Sequence, residues 1–409
     1  MTRRVVVTGI GPVTPVGIGL QPFWDALTSG RSGVGEVTQF DASEFPVRIA
    51  GEVKDFDPAD WMERKAARRT DRVVHLGVAA AKLAWKDAGE PQVAPERAAV
   101  VMSTGVGGLR YMEDQVRILA DRGPGRVSAF TVPAMMPNAA SGTIAMELGF
   151  TGPNACVTTA CAAGAHGIGE AYRYIKHGMS DLAMAGGTEA GITPLALAAF
   201  AQMQALSRNP EPERASRPFD ADRDGFVISE AACVLVLEEE ERARARGATI
   251  YAEVAGYGTS ADAFHITQPE PDGSGAVLAM QMALADAGED AEAVGYVNAH
   301  GTSTPLNDAA ETRAIKKALG DHAHRVAISS TKSMTGHMVG AAGAAEAAVA
   351  ALAVNQGVIP PTINYETPDP QCDLDYVPNE ARKADVGLAL SNAFGFGGQN
   401  AVLAIRKIS

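Results

Sequence analysis

This sequence is short of cysteine, of aromatic side chains and of charge, and each shortage excludes something. Cys156, Cys161, Cys233 and Cys372 are the whole cysteine complement of 409 residues. They are too few and too scattered for a disulfide framework, and the CxxxxC spacing of Cys156 and Cys161 fits no common metal site. All four read as reduced cytosolic thiols unless one is a nucleophile. Aromatic residues make up 6% of the chain and charged residues 20%, against about 25% charged in an ordinary globular protein. Positive charge is the scarcer sign: 35 Lys and Arg face 48 Asp and Glu, a net charge of −13. That balance disfavours nucleic acid, because phosphate binding needs local positive charge, and an anionic partner would have to dock on a local basic patch. Clean long apolar runs are missing as well. The longest, Met338–Val354, is short for a membrane span and contains Glu346. The opening MTRRVVVTGIGPVTPVG imitates a secretory leader, but Gly9, Gly11 and Pro12 break its apolar run and no small-residue cleavage site follows. A buried first strand, in a soluble cytoplasmic protein, is the expectation.

What the chain does have is apolar bulk. Hydrophobic residues make up 46%, enough for a large core and too many for global disorder. Arg4–Thr8 is a short β-branched run, and similar runs without polar alternation recur at Ala98–Met102, Asp181–Ala185, Ala232–Leu237, Tyr251–Ala255, Val294–Asn298, Arg325–Ser329, Gly387–Ser391 and Ala401–Ile405. Such runs fit strands buried on both faces. Helical patterns such as Leu76–Asp87 and Ala276–Ala287 lie between them, so the fold class is α/β. Two Gly/Ala-rich helical segments, starting at Cys161 and at Gly336, have small residues on every side and are expected at the centre of the molecule. Each follows a strand-like stretch, at Ala155–Thr159 and Val326–Ser330, which suggests two similar halves meeting near residue 250. Asn209–Asp224, rich in Pro, Arg and Asp, reads as a surface loop.

Four segments could carry chemistry. Cys161, at the first turn of a helix, would feel the positive end of the helix dipole, which lowers a thiol pKa; the plain alternative is one more buried small residue. His300 ends a buried strand and is followed by Gly301, Thr302, Ser303 and Thr304. Sites collect at such strand ends, although the hydroxyls could equally satisfy the histidine within a turn. Lys332 and His337 flank the start of the second Gly/Ala helix, and Glu346 inside that helix needs a partner. Lys332 is the obvious candidate, whether the pair is structural, functional or both. Phe394-Gly-Phe396-Gly-Gly398, between two strands, has backbone amides that could cradle an anion, or is an ordinary glycine-rich connection. A cysteine, two histidines, a lysine and an amide-rich loop together suggest acyl transfer through a thioester.

With these residues in place, the chain resembles the elongating β-ketoacyl-acyl-carrier-protein synthases of the KAS II type. The resemblance runs through RRVVVTGIGPVTPVG, TTACAAGAHGIG, DLAMAGGTEAGITPL, ASRPFDADRDGFVISE, VNAHGTSTPLND, STKSMTGHMVGAAGAAE and FGFGGQN, in that order. It implies a thiolase-like fold, duplicated βαβαβαββ halves in five αβαβα layers, with residues 1–250 carrying the nucleophile and 251–409 the histidines, lysine and glycine-rich gating loop. It implies a Cys161, His300, His337 site supported by Lys332 and Glu346. The backbone N–H groups of Cys161 and Phe396 would form the oxyanion hole, and Phe396 would act as the gate. Thr302 and Thr304 would contact a 4′-phosphopantetheine arm. That arm arrives on the partner, an acyl carrier protein, and no metal or other cofactor is implied. The reaction is a decarboxylating Claisen condensation that lengthens an acyl chain by two carbons.

The carrier is acidic, and Lys65, Arg68 and Arg69 on an expected helix match the family's basic docking residues, with Arg126 a second candidate. Without the resemblance they would read as a solvated charged face. Val106 and Phe200 match acyl-pocket positions and imply a medium or long pocket. Three departures put the substrate in doubt: Gln399 for the usual threonine of FGFGGTN, Pro137 near the acyl tunnel, and Gln204 where some relatives have arginine. A homodimer is implied, or a heterodimer with a chain-length-factor-like subunit if the chain is a type II polyketide ketosynthase. A non-catalytic chain-length subunit would lack Cys161, an initiating synthase would use Cys-His-Asn, and Cys372 lies outside any second thiolase motif. A carrier-binding scaffold without catalysis is the alternative from another class.

Overall fold

The computed structural model describes residues 3–408. Ten strands form one mixed sheet, with the two-residue strand Gly17–Ile18 appended. In chain order the ten are β1 (Val5–Thr14), β2 (Ala98–Ser103), β3 (Asn154–Ala155), β4 (Leu182–Glu189), β5 (Ala231–Glu239), β6 (Ala252–Ala261), β7 (Val294–Asn298), β8 (Ala327–Ser329), β9 (Leu388–Gly395) and β10 (Gln399–Arg406). Outward from the middle, one side runs β1-β5-β4-β2-β3 and the other β6-β10-β9-β7-β8. Strands of the same rank in each set of five occupy the same places. The pairing senses also match, antiparallel, antiparallel, parallel, parallel. The sets join where Val5–Val7 pair with Ala252–Val254.

The unalternated runs are explained by burial on both faces. On β5, Ala231, Cys233, Leu235 and Leu237 enter the central core, while Ala232, Val234 and Val236 enter an outer core. Successive side chains point to opposite faces, so a strand covered twice has no polar positions left. The outer layers hold α1 (Arg72–Asp87) and α2 (Ala139–Leu148) on one side, and on the other α4 (Ser274–Ala287) and α5 (Pro305–Leu319). Between the halves of the sheet lie α3 (Ala163–Lys176) and α6 (Ala342–Gln356), packed on each other and on strands of both sets. This is the five-layered thiolase-like arrangement. The central helices need small residues: a Cβ on Gly164 would stand 2.8 Å from Gly340 O and Ala344 N, and one on Gly343 2.8 Å from Ala165 N.

Three local expectations change. Asn209–Asp224 is only in part a surface loop: Asn209–Arg214, Ala221, Asp222 and Asp224 are not buried, but Ala215–Asp220 and Arg223 are. Arg217 pairs with Asp220 at 3.0 Å, and Arg223 with Asp369 at 2.6 Å. Sequence composition marks charge as exposed, but charge can be buried when it is paired. The basic segment forms a single helical turn, Arg64–Ala67, rather than a longer helix. The stretch before α3 is strand only at Asn154–Ala155.

Candidate active site

The nucleophile candidate sits on a tight turn. A 3-10 turn, Ala160–Ala162, leads directly into α3, and Ala160 is held at φ 49°. A non-glycine residue in the left-handed region stores strain and is over-represented at functional sites. The second half repeats the device: Val339, at φ 44°, opens the turn Val339–Ala341 that leads into α6. Cys161 therefore has Gly340 as its counterpart, and only one of the two turns carries a thiol.

Cys161 is 8% exposed. Burial pushes its thiol up to about 11, against the opposing pull of Lys332 and of the backbone N–H groups of Phe396 and Cys161. The expectation that the helix dipole lowers the Cys161 pKa is thus corrected in its net direction: in the free protein, desolvation outweighs the positive groups. Those two N–H groups do converge on the sulfur, because the β9–β10 hairpin brings Gly395 and Phe396 against the turn. A Cβ on Gly395 would meet Thr159 O at 2.5 Å.

His300 follows β7. Its own N–H and that of Gly301 donate to the buried carboxylate of Glu311, at 2.8 and 2.7 Å, which fixes the backbone there. His337 is clamped on both sides, its N–H donating to Val227 O at 2.7 Å and its carbonyl accepting from Ser229 N at 2.9 Å. The two rings lie 5.5 Å apart at 85°, with His300 against Phe394 and His337 edge-on to Phe226. Burial, then Lys332, holds both imidazoles well below the ordinary histidine range, and His337 adds to the effect on His300. Both are neutral, and both Nδ1 atoms are buried without a partner among the described residues.

Lys332 and Glu346 form a fully buried ion pair behind the histidines. Burial raises Glu346 to about 7 even so, with Lys332 opposing. Cys161, His300, His337, Thr302, Thr304, Val106, Phe200, Phe396 and Gln204 all line one cavity of about 540 Å³. Val106 is nonetheless 47% exposed on this chain, so it forms a half-open wall of the cavity. Thr302 and Thr304 share a hydrogen bond of 3.0 Å, and Thr304 also caps α5. Lys332, Glu346 and Pro137 do not line the cavity, nor do Lys65, Arg68, Arg69 and Arg126, all four of which are exposed. Lys332 is therefore a positioning group and not one that meets substrate.

The sequence reading missed three supports. Glu311 lines the cavity and Glu189 lies beside it, both as buried carboxylates. For Glu189 a charge inside an apolar stretch was the available signal, as it was for Glu346, whereas Glu311 sits among other charged residues and carried no such signal. The third is the buried loop: Ser216 Oγ donates to Lys332 O at 2.6 Å, Arg217 N to Ser303 Oγ at 2.9 Å, and Arg223 Nε to Thr304 O at 3.2 Å. Nothing local announces that role, since its partners lie far along the chain.

Comparison with known proteins agrees with this geometry. Residues 2–243 match the family described as Beta-ketoacyl synthase, N-terminal domain, and residues 251–366 match its C-terminal domain. The chain is 53% identical to the 3-oxoacyl-[acyl-carrier-protein] synthase 2 of Synechocystis sp. over 408 residues, 99% of this chain and 98% of the relative. Among solved structures, it is similar to a type II polyketide ketosynthase in complex with its acyl-carrier protein, with a TM-score of 0.93, 34% identity and both chains covered in full. It is also similar to the ishigamide ketosynthase/chain length factor, with a TM-score of 0.92, 38% identity and both chains covered in full. With both halves of the family matched in order along it, this chain belongs to the β-ketoacyl synthases.

Proposed function

We propose that this protein is a 3-oxoacyl-acyl-carrier-protein synthase that elongates fatty acyl chains by decarboxylating condensation. The observation that carries the reading is the meeting of one thiol and two neutral imidazoles on a single cavity, with two backbone N–H groups aimed at the thiol's sulfur. In the first half-reaction the sulfur of Cys161 attacks the carbonyl carbon of a carrier-borne acyl thioester. The C–S bond to the carrier breaks, and the Cys161 proton ends on the departing phosphopantetheine sulfur, so the exchange is proton-neutral. The N–H groups of Cys161 and Phe396 bind the oxygen that becomes negative, fixed donors where charge develops.

In the second half-reaction a malonyl-carrier thioester enters. His300 and His337 donate from Nε2 to its thioester oxygen. The bond from C2 to the carboxylate breaks, carbon dioxide leaves, and the electron pair is held as an enolate. Neutral imidazoles suit this, because they donate hydrogen bonds without handing the enolate a proton as readily as imidazolium would. C2 then attacks the acyl-cysteine carbonyl, the C–S bond to Cys161 breaks, the released sulfur takes up a proton from solvent, and the 3-oxoacyl chain, two carbons longer, remains on the carrier. Lys332, paired with Glu346, holds the histidine turn. No metal or redox cofactor is called for, and the phosphopantetheine arm belongs to the carrier.

The partner is an acyl carrier protein docking on Lys65, Arg68 and Arg69, with residues 1–250 supplying the thiol and 251–409 the imidazoles. A carrier-bound relative structure supports the partner class. Apolar side chains exposed on neighbouring helices, Val116, Leu119, Met135 and Met146 among them, support pairing with a second subunit, because monomers rarely expose extended apolar patches. Among the described residues no helix is long and apolar enough to cross a membrane, and the reading places the enzyme with its carrier in the cytoplasm.

The test is mass spectrometry of Cys161 after exposure to acyl carriers of graded length, followed by malonyl-carrier protein. Acylation at Cys161 and release of a product two carbons longer are expected; no acyl adduct at Cys161 overturns the reading. The polyketide alternative, favoured by the ketosynthase/chain length factor neighbour, predicts no condensation until a second, different subunit is added. A scaffold would show equal slow alkylation of all thiols by iodoacetamide.

A further inference from the structure

Glu189 ends β4 and is 1% exposed. The reaction as described gives it no task. Its carboxylate is met by three backbone N–H groups and one hydroxyl. Oε2 accepts from Gly105 N at 2.7 Å and Gly340 N at 3.1 Å, and Oε1 from Thr104 Oγ1 at 3.0 Å and Val106 N at 3.4 Å. Burial raises its pKa and these hydrogen bonds oppose that.

The donors come from two different places. Thr104, Gly105 and Val106 form the loop whose Val106 side chain lines the cavity where an acyl chain would lie. Gly340 belongs to the other half of the molecule, next to Val339, another lining residue, and three residues past His337. Gly340 is the counterpart of Cys161. The amide that at Cys161 faces the reacting sulfur is, at Gly340, bound by Glu189. One oxygen atom therefore bridges the acyl wall and the turn that carries a malonyl-binding imidazole.

We propose that Glu189 is a positioning residue for carbon–carbon bond formation, the joint that fixes the acyl-cysteine side of the cavity relative to the His337 side. The inference rests on the condensation reading above. Each half-reaction needs one side only: acyl transfer needs Cys161 and its amides, decarboxylation the imidazoles. The bond between C2 of the enolate and the acyl carbonyl needs both at reacting distance, where a displacement of 1 Å can cost about 10²-fold. If the sides drift apart, carbon dioxide still leaves, but C2 takes a proton from solvent and acetyl-carrier is released in place of the 3-oxoacyl product.

The experiment is Glu189→Gln in the full chain. Glutamine keeps the shape but offers an NH₂ where N–H donors already point. Carbon dioxide and 3-oxoacyl product are counted in the same reaction, with acetyl-carrier as the third measurement. Wild-type protein should release one carbon dioxide per product. The variant should lose about 10- to 100-fold in condensation and release at least about threefold more carbon dioxide than product, with Cys161 acylation within about threefold of wild type. Glu189→Asp, which retains the charge on a shorter arm, should fall between the two and stands in if the glutamine variant does not fold. Loss of folded protein lowers carbon dioxide and product together and leaves their ratio at one. A ratio that stays at one in whichever variant folds overturns the inference. If wild-type protein itself forms no 3-oxoacyl product, the condensation reading has failed instead.

Discussion

Gly395→Ala separates the geometry of the oxyanion hole from the stability of the fold. The added Cβ would lie 2.5 Å from Thr159 O, 3.3 Å from Ala162 N and 3.4 Å from Cys161 N, and real Cβ contacts essentially never fall below 3.0 Å. The end of β9 must therefore retreat from the nucleophile turn by about 0.5 Å, and overpacking of this kind costs about 1–3 kcal/mol. Gly395 precedes Phe396, whose N–H points at the Cys161 sulfur, so the retreat carries that donor away. Losing such a donor entirely costs about 10²–10³ in rate; a displacement of half an ångström should cost about 10- to 100-fold in acylation of Cys161. The assay is single-turnover acylation by an acyl-carrier thioester, followed by mass spectrometry, alongside a denaturant midpoint. Acylation at the wild-type rate in a folded variant would refute the assignment of Phe396 N–H, whatever happened to stability.

Other outcomes follow from the same site. Cys161→Ala should abolish condensation, while Cys161→Gln, which imitates an acylated thiol, should still decarboxylate malonyl-carrier; product counting after malonyl addition checks both. Because burial holds the free thiol at about 11, its alkylation by iodoacetamide should rise about tenfold per pH unit up to at least pH 9, and a plateau near pH 7 would contradict the desolvation argument. Both histidines are held neutral in the folded chain by burial and Lys332, whereas the unfolded chain protonates them near 6.5. Their stabilising contribution is complete above that pH and is lost as pH falls below it, by about 1.4 kcal/mol per unit per group. The double variant His300→Gln, His337→Gln should flatten denaturant midpoints between pH 5 and 6.5. Lys332→Ala strands the buried Glu346 and should cost about 3–5 kcal/mol, part of which Lys332→Met with Glu346→Leu should restore. A double variant no more stable than the single would remove the ion-pair account.

What the amino-acid order determined by itself is local. Unalternated apolar runs marked strands covered on both faces, as β5 shows with alternate side chains in two cores. Small residues marked α3 and α6 as central, because only they allow the approach measured at Gly164 and Gly343. Glu346, a charge in an apolar helix, called for a cation, and Lys332 meets it. The motifs around Cys161, His300, His337 and Phe396 named the chemistry.

Tertiary structure decided what depends on distant neighbours. Whether Cys161 titrates low or high turned on desolvation by burial in the folded chain, against which the helix end lost. Arg217 and Arg223 read as solvated until partners at Glu366 and Asp369 buried them. Glu189 and Glu311 became supports only once folding set backbone N–H groups around them. A side chain's propensity travels with its sequence, but its dielectric and its hydrogen-bond partners are assembled only when folding brings separate segments together.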